Sequence, residues 1–190
     1  MLWSLVFLKV ICLSFNLAHA QSFDGLKLSL PLRKFQVNSG FGNRTHPVTG
    51  RMNVFHTGID LRARSDTVFA ILPGEVVKVS ADLIIGNYII IAHGAYSSIY
   101  GHLSKSMVGI GSLVASGTSI AITGNTGRVT GEHLHFGIKH KGRFVDPLKC
   151  LYFFGNLYGN DLYLFLNDLF WVRKPSGVTI HIERETEINH

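Results

Sequence analysis

The sequence predicts a mostly β protein: a compact antiparallel β-sheet domain followed by a short α/β extension at the C-terminus. Short runs rich in Val, Ile and Thr recur from Leu28 onward, and Gly or Pro-Gly separates them. Such runs, bounded by turn residues, are typical of strands. No stretch before about residue 150 repeats its apolar residues with the 3.6-residue period of a long helix. The clearest predicted strands are 67–71, 75–79, 88–92 and 118–122.

Residues 1–20 form an apolar stretch that ends in Ala18-His19-Ala20, a pattern typical of signal-peptide cleavage. We therefore expect a signal peptide over 1–20 and a periplasmic or secreted protein. Lys9 divides the stretch into halves far shorter than the ~20 residues of a spanning helix, which makes a retained membrane anchor the alternative. Cys150 is the one cysteine after the expected cleavage site, so we expect no intramolecular disulfide.

The charge balance is mildly basic, with a formal net charge of +6. This excess is compatible with anionic surroundings, but it is usually no more than a contribution to solubility. The sequence has no nucleic-acid-binding motif, and we expect no stable membrane span after signal cleavage. Residues 21–148 are long enough to form one domain with a core of its own.

Two histidines stand two residues apart at the end of a glycine-rich segment, as His133-Leu134-His135. In a strand, residues two apart point to the same face, so both imidazoles lie on one side while Leu134 and Phe136 pack on the other. Adjacent imidazoles can divide metal binding and proton handling between them. For this motif alone, a solvated strand face that happens to carry two histidines is an equal alternative.

The segment from His56 to Asp60 adds a third imidazole and a carboxylate. The two residues share one parity, so an extended segment directs both side chains the same way. Gly58 between them disfavours a helix, because glycine costs about 1 kcal/mol in a helix interior. His56, Asp60 and His135 together match the three-protein-ligand set of a catalytic zinc ion, whose fourth position stays open for water.

Four segments carry a family resemblance, and they are 39–50, 56–60, 100–103 and 124–138. Their sequences and their order are similar to those of the lysostaphin-type (LytM-like) zinc murein metallopeptidases, peptidase family M23. The resemblance covers roughly residues 30–148. It implies a β-sheet groove with the metal on its floor. It also implies a zinc endopeptidase that hydrolyses peptide bonds in peptidoglycan with a metal-activated water.

The histidines and Asp60 receive roles on this basis. We expect zinc ligands at His56, Asp60 and His135. His133, beside the metal but not bound to it, is expected to act as general base and to return the proton to the leaving amine. His102 taken alone is more typical of a hydrogen-bonded strand histidine. By resemblance it sits beside the metal and either hydrogen-bonds the oxyanion or helps orient the water.

Substrate contacts are expected from the loop that precedes His133. This connection of about eight residues exceeds the roughly 2–5 usual for hairpins, and its glycines allow backbone to approach a ligand closely. We therefore expect it to form one wall of the groove. The predicted substrate-binding residues are Thr126, Gly127 and Arg128 in this loop, Arg44 and His46 upstream, and Tyr100 in the motif Tyr100-Gly-His-Leu103, where alternation places it on the face of His102.

Three other functions fit part of the sequence. A catalytically inactive, wall-binding or regulatory member of the family is the main alternative, but such members lose ligands, and all the expected ones are present. A lipoyl- or biotinyl-like carrier shares the short strands but needs a signature such as Met-Lys-Met, which is absent. The zinc D,D-carboxypeptidases bring a Glu-x-x-His segment, and Glu132-His133-Leu134-His135 does not have that spacing.

Two further expectations concern the target bond and the C-terminal extension. The segment His46-Pro-Val-Thr-Gly50 is more similar to members that cleave D-alanyl cross-links than to those that cut glycyl bridges. The resemblance does not extend over 149–190. We expect a short helix over 162–172 and an edge strand over 178–182 there, packed on the back of the domain. A partner- or wall-binding element is the alternative.

Overall fold

The computed structural model of the protein describes residues 28–44 and 54–158. Within these ranges the chain forms antiparallel β-structure and one helix. In chain order the elements are β1 (Val37–Ser39), β2 (Gly42–Arg44), β3 (Val54–His56), β4 (Ile59–Arg62), β5 (Thr67–Phe69), β6 (Gly74–Asp82), β7 (Gly86–His93), β8 (Tyr96–Ser106), β9 (Leu113–Val114), β10 (Ser119–Thr123), β11 (His133–His140), β12 (Arg143–Val145) and α1 (Pro147–Tyr158). The predicted signal peptide, His46, and the predicted helix and strand of the extension lie outside the described residues.

Most of the strands join one ten-stranded sheet in the described part of the chain. Its main path runs β1-β4-β11-β8-β7-β6-β9, while β10 pairs with β5 and β8, and β12 pairs with β11. A separate two-stranded sheet consists of β2 and β3. Neighbouring strands pair antiparallel throughout. The predicted fold class, a mostly β protein built from an antiparallel sheet, is therefore confirmed.

The four strands predicted most clearly are all present as β5, β6, β7 and β10. The largest difference lies in β6, which continues to Asp82 because its pairing with β7 extends to the turn that joins them. The side chain of Asp82 closes this turn: its Oδ1 accepts hydrogen bonds from the backbone N–H groups of Ile84 and Ile85, both at 2.8 Å. An Asp that accepts from the backbone two residues on is a common way to stabilise a turn.

The core lies on the apolar face of the central strands. On β11, Leu134 and Phe136 are fully buried, as the alternation around the two histidines predicts. Buried residues from the other strands, from the segment before β1 and from the helix complete one cluster, which includes Leu32, Ile59, Leu61, Val68, Ile71, Val76, Ile89, Ile91, Leu103, Ile120, Ile138 and Leu151. Burial at about 25 cal/mol per Å² of apolar surface makes this cluster the main source of stability.

A bulge in β8 changes the direction of its side chains. Two steps along β7, from Asn87 to Ile89, oppose three steps along β8, from Leu103 to Tyr100. The extra residue inverts the alternation, and His102 takes a left-handed φ of 60° at this point. Tyr100 and His102 therefore do not share a face.

Tyr100 consequently faces the core rather than the groove. Its side chain is fully buried, and its hydroxyl accepts a hydrogen bond from the backbone N–H of Ile71 at 3.0 Å. Burial raises the pKa of Tyr100 to about 12, so the phenol stays protonated. The prediction that Tyr100 contacts substrate is wrong. It assumes strict alternation from Tyr100 to His102, and the bulge in β8, which has no signal in the sequence, interrupts that alternation.

The helix α1 follows directly on β12. Asp146 caps it by accepting a hydrogen bond from the N–H of Leu148 at 3.0 Å, and Pro147 occupies the first helical position, where its fixed φ is favourable. Leu151 and Phe154 are buried in the same core as the sheet. The helix begins before the predicted domain boundary at residue 148 and packs on the domain through Leu151 and Phe154.

Two further points concern the helix. Burial raises the pKa of the Cys150 thiol to about 11, which keeps this half-buried side chain protonated and unreactive. No helix among the residues that the structure describes is long and apolar enough to cross a membrane.

A pair of leucines on α1 tests whether this helix is part of the domain. Leu151→Ala should lower the free energy of unfolding by about 2–5 kcal/mol, because it removes a fully buried side chain and leaves a cavity. Leu157, which is 60% exposed, is the matched control, and its alanine variant should change stability by less than about 0.5 kcal/mol. Chemical denaturation measures both. Equal, small losses would show that the helix contributes nothing to the core.

Candidate active site

An open groove runs over the polar face of the central strands. His56, Asp60, His102, His133 and His135 all border it. Its walls come from β3, from the turn between β6 and β7, and from the loop that precedes β11. The remaining lining residues are Val54, Phe55, Thr57, Ile84, Ile85, Arg128, Val129 and Thr130.

Three side chains converge at the floor of this groove. His56 Nε2 lies 3.1 Å from Asp60 Oδ1, His135 Nδ1 lies 3.1 Å from the same oxygen, and the two nitrogens are 3.1 Å apart. Among the described residues, these three are the His, Cys, Asp or Glu side chains whose ligand atoms lie close enough to one another to hold a metal ion together. The predicted clustering of His56, Asp60 and His135 is thus observed.

The donor set fits a tetrahedral divalent ion. Atoms bound about 2.0–2.1 Å from a tetrahedral zinc lie roughly 3.3 Å from one another, close to the observed spacing. His56 donates its Nδ1–H to the carbonyl of Gly40 at 2.7 Å, which leaves the Nε2 lone pair facing the other two ligand atoms. A backbone acceptor that fixes the tautomer of a histidine in this way is typical of metal ligands.

Strand register brings the distant members of this group together. His135 on β11 is directly opposite Asp60 on β4, and on its other side it is opposite Gly101 on β8. Directly opposed residues have Cβ atoms about 4.5–5.5 Å apart, so the carboxylate and the imidazole meet without any long-range adjustment.

The close approach of the segment between β3 and β4 to β11 depends on a glycine. A Cβ at Gly58 would lie 2.9 Å from the ring of His135 and would also clash with the carbonyl of Phe136. The sequence predicts one extended segment from His56 to Asp60, and this prediction is wrong. Instead, β3 ends at His56, and a bend at 57–58 leads into β4. His56 and Asp60 therefore meet across this bend and not along the face of one strand.

Two further imidazoles stand beside the metal-binding group. His133 Nε2 lies 3.6 Å from Asp60 Oδ1, and the ring of His133 is 4.7 Å, centroid to centroid, from that of His102. His133 donates its Nδ1–H to the carbonyl of Gly131, and His102 donates its Nδ1–H to the carbonyl of Thr126, both at 2.8 Å. When the rings are neutral, each therefore presents an Nε2 lone pair.

Burial and hydrogen bonding set the charges of the site. Burial by itself raises the pKa of Asp60, but close contacts with the imidazoles of His133, His135 and His56 outweigh it and hold the pKa well below its usual range. Burial lowers the pKa of His102 to about 4 and also lowers the pKa of His135. At neutral pH the site thus combines an ionised carboxylate with neutral imidazoles at His102 and His135, which is the state in which side chains bind a metal.

The loop before β11 contributes to the groove only in part. Arg128 lines it, as predicted, but Thr126 and Gly127 do not. Gly127 has a φ of 78°, and a Cβ there would lie 2.8 Å from the Cα of Gly86. The prediction that Thr126 and Gly127 line the groove is wrong, because both pack against the turn between β6 and β7 instead.

The other end of the loop is held by Glu132. Its carboxylate accepts hydrogen bonds from the hydroxyl of Thr123 at 3.2 Å and from the backbone N–H of Ser65. Thr123 in turn accepts a hydrogen bond from the N–H of Asp66 at 2.9 Å. These contacts tie the residue before His133 to the β4–β5 turn.

Two predicted substrate contacts lie outside the described part of the chain, and two exposed apolar residues that line the groove were not predicted. The side chain of Arg44 and the whole of His46 lie outside the described part of the chain. Phe55 and Ile84, which are 51% and 62% exposed, line the groove without having been predicted. An aromatic residue directly before a predicted metal ligand is the sequence signal that could have identified Phe55 as a groove residue. No local signal pointed to Ile84, because only the tertiary structure brings the β6–β7 turn beside β11.

Comparisons with known proteins agree with this geometry. A model of peptidase family M23 matches residues 54–147, a stretch that contains all five metal-site and catalytic candidates. The solved structure of LytU is 30% identical, with a TM-score of 0.56 over 67% of this chain and 91% of that chain. The chain belongs to peptidase family M23. The resemblance stated from the sequence motifs is confirmed.

Other M23 relatives are similar over the same region. The crystal structure of a zinc-containing peptidase from Vibrio cholerae is 42% identical, with a TM-score of 0.57 over 61% of this chain and 37% of that chain. The peptidoglycan DD-endopeptidase ShyB of Vibrio cholerae serotype O1 is 43% identical over 118 residues, which make up 60% of this chain and 28% of ShyB. The chain thus spans little more than a quarter of the length of that relative.

Metal titration distinguishes the ligands from their neighbour. His135→Ala and Asp60→Ala should each weaken Zn²⁺ binding by more than about 100-fold, since even an outer-shell partner is worth about 10–100-fold. His133→Ala should weaken it less, by about tenfold, because His133 contacts the ligand Asp60 but its Nε2 lies outside the three-ligand group. Calorimetry on the three variants measures these affinities. Equal losses for His133→Ala and His135→Ala would make His133 a ligand.

Proposed function

We propose that this chain is a zinc endopeptidase that hydrolyses peptide bonds in peptidoglycan, with D-alanyl cross-links as its target. One observation carries the proposal: the converged atoms of His56, Asp60 and His135 lie in an open groove with two more imidazoles beside them. Three protein ligands with an open fourth position are typical of catalytic zinc, whereas structural zinc is usually enclosed by four. The M23 membership and the name of ShyB support the substrate class.

The three ligands would hold the ion through His56 Nε2, Asp60 Oδ1 and His135 Nδ1. When bound, zinc supplies a Lewis acid that polarises the scissile carbonyl and makes water acidic enough to ionise near neutral pH. Asp60 contributes one negative charge to the site, and this charge moderates the Lewis acidity.

His133 is suited to be the general base. Its Nδ1–H is occupied by the carbonyl of Gly131, so its Nε2 is the atom available to take a proton from water. This nitrogen lies at the edge of the metal-binding group, 3.6 Å from Asp60 Oδ1, and the side chain is 16% exposed and so open to the groove. The same atom can return the proton to the leaving amine, and a positioned base of this kind typically contributes 10²–10⁴-fold to rate.

His102 is better suited to orient the attacking water than to stabilise an oxyanion. With a pKa lowered to about 4, the ring is uncharged at neutral pH, and Nδ1 carries its single proton. Its Nε2 can then only accept a hydrogen bond. A water O–H can donate to it, whereas an oxyanion requires a donor. Of the two roles predicted for His102, the donor geometry supports water orientation.

The walls of the groove suit an extended stem peptide. Val54, Phe55, Ile84 and Ile85 offer apolar surface, and Arg128 is the one Lys or Arg among the described residues that line the groove. A cation beside apolar walls fits a short peptide whose methyl groups alternate with carboxylates. The substrate contacts of this chain are thus proposed at Arg128 rather than at Thr126, Gly127 or Tyr100.

A catalytically inactive scaffold of the same family is less well supported. Loss of function in such a protein is expected to remove a metal ligand or a base. Here the three ligand atoms meet within 3.1 Å, and His102 and His133 are both held by backbone carbonyls. We also propose that the protein acts in the periplasm or outside the cell. The support is the signal-like pattern of residues 1–20 and the location of the proposed substrate.

Digestion of purified sacculi tests the proposed reaction. The full chain, loaded with Zn²⁺, should release products cut at the D-alanyl cross-link when incubated with directly cross-linked sacculi. Chelation should abolish this release, and His133→Ala should reduce it at least about 100-fold while the metal stays bound. Mass spectrometry identifies the bond. Release only from glycine-bridged sacculi would overturn the bond assignment, and no release from either would favour the scaffold.

Arg128 provides a test of substrate binding. Arg128→Ala should raise KM about tenfold, because one charge-assisted hydrogen bond to a substrate carboxylate is lost, while zinc content stays unchanged. Arg143 is the matched control, since it is exposed on β12 and does not line the groove. Its alanine variant should leave both KM and zinc content unaltered. Unchanged cleavage by Arg128→Ala would remove Arg128 from the substrate site.

A further inference from the structure

The orientation of His102 depends on a residue that does not itself border the groove. The carbonyl of Thr126 accepts the Nδ1–H of His102 at 2.8 Å. This hydrogen bond decides which ring nitrogen carries the proton and hence which nitrogen presents a lone pair to the groove. Whatever fixes the peptide group of Thr126 therefore fixes the imidazole.

The hydroxyl of Thr126 provides that fixation. Its Oγ1 accepts a hydrogen bond from the backbone N–H of Asn87 at 3.0 Å and donates one to the carbonyl of Leu103 at 2.9 Å. The side-chain amide of Asn87 donates to the same carbonyl at 3.0 Å. One hydroxyl thus connects the loop to both β7 and β8, and Leu103 is the residue that follows His102.

Two glycines allow this connection to be so close. Gly86 and Gly127 both have left-handed φ values, 65° and 78°. A Cβ on Gly86 would clash with Thr126, and a Cβ on Gly127 would lie 2.6 Å from the carbonyl oxygen of Ile84. The N–H of Arg128 donates to that same oxygen at 2.9 Å. The start of the loop is therefore in direct backbone contact with the β6–β7 turn.

The backbone of His102 is held by the same turn. His102 has a left-handed φ of 60°, which is uncommon outside glycine, and its N–H donates to the carbonyl of Ile85 at 2.8 Å. The turn thus contacts His102 through Ile85 and the loop through Ile84 and Asn87. The main chain and the side chain of His102 are fixed by one assembly.

We infer that Thr126 is a positioning residue for His102: its hydroxyl holds the peptide carbonyl that keeps the His102 proton on Nδ1 and the lone pair of Nε2 towards the groove. The inference rests on the proposed function for its catalytic consequence. Its structural part, the tautomer of His102, is independent of any substrate. Removal of the hydroxyl leaves the N–H of Asn87 without this acceptor and removes the side-chain hydrogen bonds of the loop with β7 and β8.

Thr126→Val tests this, because valine keeps the shape of threonine and removes the hydroxyl. In Zn²⁺-loaded protein, kcat on sacculi should fall about tenfold, the size expected for one hydrogen bond, with zinc content unchanged. Nitrogen-15 NMR of the imidazoles should show that His102 no longer holds a single Nδ1–H tautomer. Thr126→Ser, which retains the hydroxyl, should restore both kcat and tautomer.

Thr118→Val is the matched control. The hydroxyl of Thr118 accepts a hydrogen bond from the N–H of Ala115 at 3.2 Å in the turn before β10, so this variant loses the same kind of contact away from His102. It should leave the His102 tautomer and kcat unchanged. Melting temperatures of the two valine variants separate general destabilisation from a specific effect, and Thr126→Ala replaces Thr126→Val if the latter does not fold.

A double-variant cycle decides whether Thr126 acts through His102. In a His102→Ala background, Thr126→Val should have no further effect on kcat, because the group that it positions is gone. A full additional tenfold loss in that background, or an unchanged tautomer in Thr126→Val, would overturn the inference. If wild-type protein cleaves no sacculi, the proposed function fails, whereas the tautomer comparison still tests the role of Thr126.

Discussion

The register between β4 and β11 is the constraint on which the rest of the site depends. It places Asp60 opposite His135, and the pairing of β11 with β8 adds Gly101 to the same row. A slip of one residue would turn His135 and His133 into the core and bring Leu134 and Phe136 into the groove. Because these two apolar side chains are fully buried, the hydrophobic effect that stabilises the sheet also enforces the geometry of the metal-binding group.

The same arrangement stabilises the buried carboxylate of Asp60. A carboxylate removed from water is costly unless charged or hydrogen-bonded partners compensate for it. Asp60 has three imidazole neighbours, and their close contacts outweigh the effect of burial on its pKa. Neutral imidazoles at His102 and His135 and an ionised carboxylate form a site ready for a cation. The carbonyls of Gly40, Gly131 and Thr126 accept the Nδ1–H of His56, His133 and His102, respectively.

Glycines determine how closely the parts of the site approach one another. Gly58 leaves room for the ring of His135, and Gly127 allows the loop to contact the β6–β7 turn. A side chain at either position would clash with its neighbours and displace β11 or the loop before it. Gly58 thus permits the approach of a proposed metal ligand, and Gly127 permits the loop contact that holds the carbonyl bound by His102.

The sequence by itself determined the antiparallel β fold, the grouping of His56, Asp60 and His135, and the shared face of His133 and His135. The fold and the shared face follow from local alternation, and the grouping follows from residue chemistry; a linear pattern contains both. Tertiary structure decided what alternation could not. The bulge in β8 places Tyr100 in the core, and a bend at 57–58 rather than one extended strand separates His56 from Asp60. Gly86 leaves room for Thr126 and Gly127 to pack against the β6–β7 turn instead of lining the groove. Each of these depends on which strands become neighbours, and that is settled by non-local packing and pairing rather than by the residues of the segment itself.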